Sequence, residues 1–382
     1  MIPYGKQDIN QNDIDAVINV MQSDYLSQGP KVAEFEQAIS ESVGANYSVA
    51  VNSATSALHI ACLALGVASN DLVWTTPITF VASANCALYC GAEIDFVDVE
   101  PTTGNMSSSA LAAKLLLANA NARLPKVIIV VHMAGHSCNM KAIAQLAKQH
   151  GIKVIEDASH GIGGSYQSKK IGACQYSDIT IFSFHPVKII TTAEGGVATT
   201  NSKPIADAMA MYRSHGITKD PALMERPQEG DWYYEQHHLG FNYRMTDLQA
   251  ALGASQLTRI DEFVEKRNTL AAIYRSQLTD LPINVVEPIE QSYSARHLFI
   301  IRLLQPDKRK AIFDAMRAQG IQVHVHYFPV HLQPYYQKLG FSVGQFPEAE
   351  RFYRSILTLP LYPNLTAEQI GYICNNLRKL LI

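Results

Sequence analysis

The feature that most constrains the fold is a regular alternation of short apolar segments with amphipathic segments of helical period between residues 48 and 200. One apolar segment, Val-Ile-Ile-Val-Val at 127–131, has no polar position, as expected for a strand that is buried on both faces. Strands that alternate with helices predict an α/β fold with a mainly parallel, doubly wound sheet. In such sheets ligands bind at the carboxyl ends of the strands.

The same periodicity predicts where the elements lie. Strands are expected at 48–51, 72–75, 94–97, 126–132, 153–156, 178–184 and 195–200, and helices at 13–22, 31–43, 57–65, 79–89, 109–120 and 140–150. Prolines and clustered charges indicate a long loop at 217–239. One helix over 246–277 is expected to lead into strands at 297–303 and 322–326 and helices at 308–319 and 366–379. The predicted division is a large domain, 1–245, and a bridging helix with a smaller C-terminal α+β domain, 246–382.

Composition argues against several classes of protein. The 31 Lys and Arg residues and 34 Asp and Glu residues give a net charge of −3, which predicts no basic surface for nucleic acid. No apolar run is long enough to predict a membrane span, and the N-terminus lacks the apolar core of a signal peptide. The six cysteines form no CxxC pair, and Cys86 and Cys90 are expected to be buried thiols that can share a helix face. A reducing, cytoplasmic compartment is the simplest expectation.

Lys188 is the most informative single residue. It follows the predicted strand 178–184 and precedes Thr-Thr and the pair Gly195-Gly196. Most lysines are solvated surface charges, but Phe184 and Pro186 would shield this one from water. Desolvation disfavours the ammonium form and leaves a nucleophilic amine. The residues alone leave the surface and the catalytic interpretations both open.

Two further segments follow predicted strands. Asp157 comes directly after the strand 153–156, where a carboxylate either caps the next helix or faces a ligand, while Glu156 should point to the opposite face. The segment Asn-Ser-Ala-Thr-Ser at 52–56 places hydroxyl and N–H groups at a helix start, which can bind an anion or can be a plain cap. Since Thr55, Asp157 and Lys188 all follow strands, we expect them to converge on one edge of the sheet.

Taken together, these segments resemble the DegT/DnrJ/EryC1/StrS sugar aminotransferase family over almost the whole chain. The resemblance rests on residues 52–56, on Thr-Phe-Val-Ala-Ser-Ala-Asn (79–85), Glu-Asp-Ala-Ser-His (156–160), Ser-Phe-His-Pro-Val-Lys (183–188), Glu-Gly-Gly (194–196) and Asn-Tyr-Arg-Met-Thr-Asp (242–247). It implies fold type I of the enzymes that depend on pyridoxal 5′-phosphate (PLP), an aspartate aminotransferase-like architecture. It also implies an aminotransferase activity.

The resemblance assigns roles to individual residues. Lys188 would bond the cofactor aldehyde and then move protons, and Asp157 would pair with the pyridine nitrogen. Phe80 would stack on the cofactor ring, although an ordinary core phenylalanine is the alternative. Asn242 would reach the phosphate in the partner subunit, which implies a homodimer. The other expected cofactor contacts are Ala54, Thr55, Ser56, Ser183 and His160; many members have Gly in place of Ala54, and Gln is more usual in place of His160.

Within the family, Arg-Ser-His-Gly (213–216) and Val-His-Tyr (325–327) are most similar to the branch of the pseudaminic acid pathway. That likeness implies a UDP-linked 4-keto-6-deoxy-N-acetylhexosamine as substrate, amination at C4 and L-glutamate as amino donor. Tyr4, Arg244 and Tyr327 are the expected substrate contacts. Another nucleotide-linked keto sugar, UDP- or dTDP-linked, is the alternative, and the loop at 217–239 departs from the pattern of this branch.

Three rival functions are less well supported by the residues. A PLP-dependent sugar dehydratase would have histidine in place of Lys188. A nicotinamide oxidoreductase needs GxGxxG after its first strand, and Gly161-Ile162-Gly163-Gly164 lacks that spacing. A non-catalytic binding protein would not need both Lys188 and Asp157. No metal site is predicted, because the pairs His132/His136 and His324/His326, with His331 near the second pair, suit packing or substrate contact better than chelation.

Overall fold

The computed structural model describes residues 1–382. The β-strands are β1 (Tyr47–Val51), β2 (Leu72–Thr75), β3 (Glu93–Phe96), β4 (Val127–Val131), β5 (Lys153–Asp157), β6 (Ser165–Tyr166), β7 (Lys169–Lys170), β8 (Ile179–Ser183), β9 (Gly196–Thr200), β10 (Ile217–Thr218), β11 (Glu235–Gln236), β12 (Ile283–Val285), β13 (Ser292–Tyr293), β14 (Phe299–Leu303) and β15 (Ile356–Leu359).

The α-helices connect and cover these strands. They are α1 (Gln11–Met21), α2 (Pro30–Val43), α3 (Ala54–Ala64), α4 (Ala82–Tyr89), α5 (Ser108–Ala120), α6 (Met140–Gln149), α7 (Lys203–Arg213), α8 (Asp247–Leu257), α9 (Ile260–Gln277), α10 (Arg309–Ala318), α11 (Pro334–Gln337), α12 (Pro347–Ser355) and α13 (Ala367–Leu381). None of them is both long and apolar enough to cross a membrane.

The central sheet has seven strands in the order β1-β9-β8-β5-β4-β2-β3. The pairs β2–β3, β2–β4, β4–β5 and β5–β8 are parallel, and β9 is antiparallel to both of its neighbours, β1 and β8. In β4, Val127 and Ile129 pack into the core on one face, while Ile128 and Val130 pack into the core on the other. The predicted mainly parallel sheet with both faces covered is therefore confirmed.

A second, smaller core forms around the antiparallel sheet β12-β14-β15. The C-terminal half of α9 and the inner faces of α10 and α13 pack on it, with Tyr274 stacked on Phe299 at a ring distance of 4.7 Å. The N-terminal part of α9 packs with α8 and α2 against the large sheet instead. The proposed division at residues 245/246 remains a prediction.

Some predicted elements differ from the structure. The single helix expected over 246–277 is two helices, because the chain bends at Thr258 and Arg259 between α8 and α9. No strand forms over 322–326; only His324 makes an isolated bridge, to Thr358. The loop at 217–239 is present, but the short strands β10 and β11 close it into a hairpin. Helices α7 and α12 and strand β15 were not expected from the sequence.

Asp247 links two helices that are far apart in the sequence. It is fully buried at the start of α8, where its Oδ2 accepts a hydrogen bond from Gly29 N at 2.8 Å and its Oδ1 accepts one from Lys31 N at 2.8 Å. These amides belong to the first turn of α2 and its cap, which lack a partner within that helix. The carboxylate therefore caps α2 from a distant part of the chain.

Replacing this cap is expected to destabilise the protein. Asp247→Ala leaves both amides without an acceptor and should cost about 1–3 kcal/mol, while Asp247→Asn, which retains one oxygen, should cost less. Chemical denaturation followed by circular dichroism measures the difference. The control Asp261→Ala removes a surface carboxylate that is 83% exposed and should change stability by less than about 0.5 kcal/mol. Equal stability of Asp247→Ala and wild type would contradict the capping role.

Candidate active site

A cavity of about 440 Å³ opens at the carboxyl edge of the large sheet. The ends of β4, β5 and β8, the start of α3 and the segment around Tyr327 surround it. Of the residues expected to bind cofactor or substrate, nine line this cavity: Tyr4, Ala54, Thr55, Phe80, Asp157, His160, Ser183, Lys188 and Tyr327. Thr55, Asp157 and Lys188, which follow three different strands, therefore lie around one cavity at the same edge of the sheet.

Asp157, the last residue of β5, is held by three hydrogen bonds. Its Oδ2 accepts from Ser83 Oγ at 2.6 Å, and its Oδ1 accepts from Ser159 N at 3.1 Å and from Ser159 Oγ at 2.6 Å. Donors to a buried carboxylate stabilise its charged form. Because an ionised carboxylate has about four acceptor positions, Asp157 can accept one more hydrogen bond from a group in the cavity.

Glu156 lies on the opposite face of β5, as the alternation predicts. Its Oε2 is 2.7 Å from Nε2 of the buried His132. Since Nδ1 of His132 accepts from Cys138 N, Nε2 carries the proton that is donated to Glu156. Ser177 Oγ donates to the other carboxylate oxygen at 2.6 Å. Glu156 and His132 therefore fix the end of β5 without entering the cavity.

Lys188 lies in a loop that is closed by one side-chain and one backbone hydrogen bond to the same carbonyl. Thr191 Oγ1 and Thr192 N both donate to Phe184 O, at 2.9 and 3.0 Å. Burial of the amine lowers the pKa of Lys188 to about 8, although the charge of Asp157 acts in the opposite direction. The amine is therefore neutral at a much lower pH than that of an ordinary lysine, which is the state that a nucleophile requires.

The start of α3 presents unpaired backbone donors to the cavity. Ser53 caps the helix by accepting from Ser56 N at 3.2 Å, and the amides of Ala54 and Thr55 come first in the helix, where no intrahelical acceptor exists. Gly196 allows this end to lie against β9, since a Cβ there would be 2.5 Å from Ala54 N. Gly196 therefore permits a close approach between β9 and the start of α3, not between the backbone and a ligand. Together the amides form an anion site.

Ser56, which was expected to contact the cofactor, is not among the residues that line the cavity. It is buried, and its hydroxyl donates to Asn52 Oδ1 at 2.7 Å. Helical geometry explains the difference, because only the first residues of α3 point out of its end. Ser53, Ser83 and Ser159 were not singled out, although each lies inside a motif quoted above. Only the fold shows that these three hydroxyls are near the cavity or Asp157.

Aromatic and imidazole side chains form the opposite wall. Phe80 is 58% exposed, and its ring centre is 6.3 Å from that of Tyr327. Tyr327 Oη is 3.2 Å from His160 Nε2, and the His160 ring lies 4.4 Å from that of His297. Burial lowers the pKa of His160 well below its ordinary value, and the nearby Lys188 charge acts in the same direction. His160 therefore adds no positive charge to this wall at neutral pH.

Asn242 and Arg244 do not line the cavity of their own chain. Asn242 is exposed and forms a bridge with Ser214, and Arg244 forms one with Val51. Of the histidines considered for metal binding, His324 and His326 line the cavity, whereas His331 is paired with Glu350. No group of three or more His, Cys, Asp or Glu side chains is arranged to hold a metal ion.

Comparison with known proteins agrees with this arrangement. The model of the DegT/DnrJ/EryC1/StrS aminotransferase family matches residues 7–378. The UDP-4-amino-4,6-dideoxy-N-acetyl-beta-L-altrosamine transaminase of Campylobacter jejuni serotype O:2 is 37% identical over 385 residues, covering 100% of this chain and 98% of the relative. The structure of Helicobacter pylori PseC, an aminotransferase involved in the biosynthesis of pseudoaminic acid, has a TM-score of 0.90 at 32% identity, covering 100% and 99% of the two chains. Spr1654 of Streptococcus pneumoniae in its PLP form has a TM-score of 0.90 at 28% identity, covering 99% and 98%.

The pKa of Lys188 gives a direct test of the site. In the ligand-free protein, acylation of Lys188 by a small amine-reactive reagent should follow a titration with a midpoint at pH about 8. Asp157→Asn removes a charge that favours the ammonium form, so the midpoint should move to lower pH. Peptide mass spectrometry measures the rate at each pH. The control Asp207→Asn changes an exposed carboxylate and should leave the midpoint unchanged. A shift of the midpoint to higher pH in Asp157→Asn would refute the inference that the charge of Asp157 favours the ammonium form of Lys188.

Proposed function

Because the chain belongs to the DegT/DnrJ/EryC1/StrS aminotransferase family, we propose that it transfers an amino group from L-glutamate to C4 of a UDP-linked 4-keto-6-deoxy-N-acetylhexosamine. It is a PLP-dependent sugar aminotransferase with an α/β fold of fold type I. The product would be a UDP-4-amino sugar of pseudaminic acid biosynthesis, the pathway in which the Helicobacter pylori neighbour acts. The observation that carries the proposal is the shared cavity of Lys188 and Asp157.

The residues around the cavity fit PLP. The amides at the start of α3 suit a phosphate, and Asp157 has acceptor capacity left for a protonated ring nitrogen. The exposed face of Phe80 is available for stacking. His160 and Ser183 line the cavity, where each can bind a cofactor oxygen. When bound, PLP supplies an electron sink that stabilises negative charge on the substrate carbon.

Lys188 performs the acid–base chemistry in this proposal. Its neutral amine removes the Cα proton of glutamate and holds it on Nζ, and in the second half-reaction Nζ delivers a proton to C4 of the sugar. A pKa of about 8 suits both tasks, because the group can gain and lose a proton near neutral pH. Asp157 would accept a hydrogen bond from the ring nitrogen and so favour the protonated form of that nitrogen.

The outer wall of the cavity, which includes Tyr4 and Tyr327, would bind the substrate. Tyr4 lies against His324 and His326, with ring distances of 5.3 and 5.4 Å, and Tyr327 lies next to His160. Burial raises the pKa values of both tyrosines, so that they remain hydrogen-bond donors. We propose Tyr4 and Tyr327 as sugar contacts.

The six free cysteines agree with the proposed cytoplasmic location.

The proposed homodimer would place Asn242 and Arg244 in the partner's site. Neither residue lines the cavity of its own chain; Asn242 forms a backbone bridge with Ser214, and Arg244 forms one with Val51. The exposure of Asn242 leaves its amide available to a phosphate in a second subunit. Arg244 would approach the substrate of that subunit in the same way.

The reaction is tested by two half-reactions with purified protein. L-Glutamate should yield 2-oxoglutarate and change the visible absorption of the bound cofactor, and the UDP-4-keto sugar should then restore the spectrum and yield an amino sugar seen by mass spectrometry. Lys188→Ala should lose both reactions by at least about 1,000-fold, because it removes the acid–base group and the covalent link. dTDP-linked and 3-keto sugars serve as comparison substrates. Faster turnover of any of them than of the UDP-4-keto sugar would refute the proposed substrate.

The shared site is tested by subunit mixing. Asn242→Ala should weaken PLP retention during dialysis, and Lys188→Ala should be inactive. Refolding the two variants together should restore part of the activity, because each heterodimer, which is about half of all dimers after random pairing, contains one site with an intact Lys188 and an intact Asn242. Size-exclusion chromatography verifies that both variants assemble as the wild type does. Normal PLP retention in Asn242→Ala, or no recovery on mixing, would remove this residue from the partner's site.

A further inference from the structure

The two carboxylate oxygens of Asp157 differ in how many protein donors they already bind. Oδ1 accepts two hydrogen bonds, from the N and the Oγ of Ser159, whereas Oδ2 accepts only one, from Ser83 Oγ at 2.6 Å. Each oxygen of an ionised carboxylate has about two acceptor positions. The position that remains for a ligand therefore belongs to Oδ2, the oxygen that Ser83 holds.

The hydroxyl of Ser83 is itself fixed by Thr79. Thr79 Oγ1 and Ser83 Oγ are 2.7 Å apart, and both residues are buried. A serine has one hydroxyl proton, and Ser83 donates it to Asp157, so Thr79 must be the donor to Ser83. The result is a chain of hydrogen bonds with a single direction, from Thr79 through Ser83 to Asp157.

This chain connects two parts of the cofactor site that lie on different elements. Thr79 and Phe80 precede α4 and line the cavity, and Ser83 is the second residue of α4. Asp157 ends β5 and is 74 residues away from Ser83 in the sequence. Because Thr79 is next to Phe80, the same bonds fix the ring that is proposed to stack on the cofactor relative to the carboxylate that is proposed to bind its nitrogen.

We propose that Ser83 and Thr79 are positioning residues that direct Oδ2 of Asp157 to the cofactor ring nitrogen and keep the proton on that nitrogen. A donor at Oδ2 withdraws electron density from this oxygen, which then competes less well for the proton of the nitrogen. The hydrogen bond from Thr79 polarises the Ser83 hydroxyl and strengthens its donation. The inference rests on the proposed role of Asp157 and extends it to two residues that act through its carboxylate.

The protonation of the ring nitrogen tests this inference without any turnover. In protein loaded with PLP that carries nitrogen-15 in its ring, the NMR resonance of this nitrogen distinguishes the protonated from the unprotonated form. Ser83→Ala should move the resonance toward the unprotonated position, and Thr79→Val should move it less, because the donor to Oδ2 remains. Ser159→Ala should also move it less, since Oδ1 keeps the backbone donor Ser159 N. No movement in Ser83→Ala, or a larger movement in Ser159→Ala, would overturn the proposal.

The half-reaction with L-glutamate gives a second measurement. Ser83→Ala should lower its maximal rate about 10-fold and leave the half-saturating glutamate concentration nearly unchanged, because the lost bond acts on the cofactor and not on glutamate binding. Thr79→Val should lower the rate about threefold, and Thr79→Ser, which retains the hydroxyl, should recover the wild-type rate to within about twofold. A loss of glutamate affinity with an unchanged maximal rate would contradict the positioning role.

The matched control is Thr76→Val. The Thr76 hydroxyl is also buried but has no hydrogen-bond partner, so its removal should change neither the resonance nor the rate. Thermal unfolding verifies that each variant is folded, and if Ser83→Ala is not, the comparison of Thr79→Val with Thr79→Ser and Thr76→Val decides.

Asp157→Asn separates this inference from its premise. It should move the resonance to the unprotonated position, because an amide does not retain the proton on the nitrogen as a carboxylate does. An unchanged resonance in Asp157→Asn would refute the proposed role of Asp157 and the inference with it. If Asp157→Asn moves the resonance and Ser83→Ala does not, the role of Asp157 stands and the assignment of Ser83 is wrong.

Discussion

One cavity holds an amine with a lowered pKa, Lys188, and a carboxylate that three hydrogen bonds fix in place, Asp157. The two groups differ in their surroundings. Asp157 receives three hydrogen bonds from Ser83 and Ser159, which replace the water that its charge would otherwise need. Lys188 is desolvated instead, and its pKa falls to about 8. Asp157 and Lys188 therefore lie in one cavity but in different surroundings. The strands, together with the loop of Lys188 and the start of α3, hold them there.

Three buried histidines near Lys188 have lowered pKa values. Burial lowers the pKa values of His160, His297 and His326, and the charge of Lys188 contributes in the same direction for each of them. They therefore add no positive charge to the cavity at neutral pH. The backbone amides at the start of α3 and the amine of Lys188 are donors in this cavity that suit an anionic cofactor. On the same wall, His160 and Tyr327 lie within hydrogen-bonding distance of each other.

Much of the architecture followed from local sequence because the large sheet is regular. The strands β4 and β5 were predicted to within a residue. For β4 the reason is that a run that is apolar at every position has few alternatives to a buried strand. Prediction failed where tertiary contacts decide the local structure. The bend between α8 and α9 interrupts a continuous helical pattern, and β15 forms only because β14 provides its partner. Ser56 shows the same limit, because its direction depends on where α3 begins.

The sequence by itself determined the order of the strand-end motifs, the type of sheet and the family to which they belong, because these depend on residue type and spacing along the chain. It could not decide which side chains face one another across more than seventy residues, such as Ser83 and Asp157, or Gly29 and Asp247. Only the packed structure decides these contacts, since hydrogen bonds and pKa values depend on distance and burial in space.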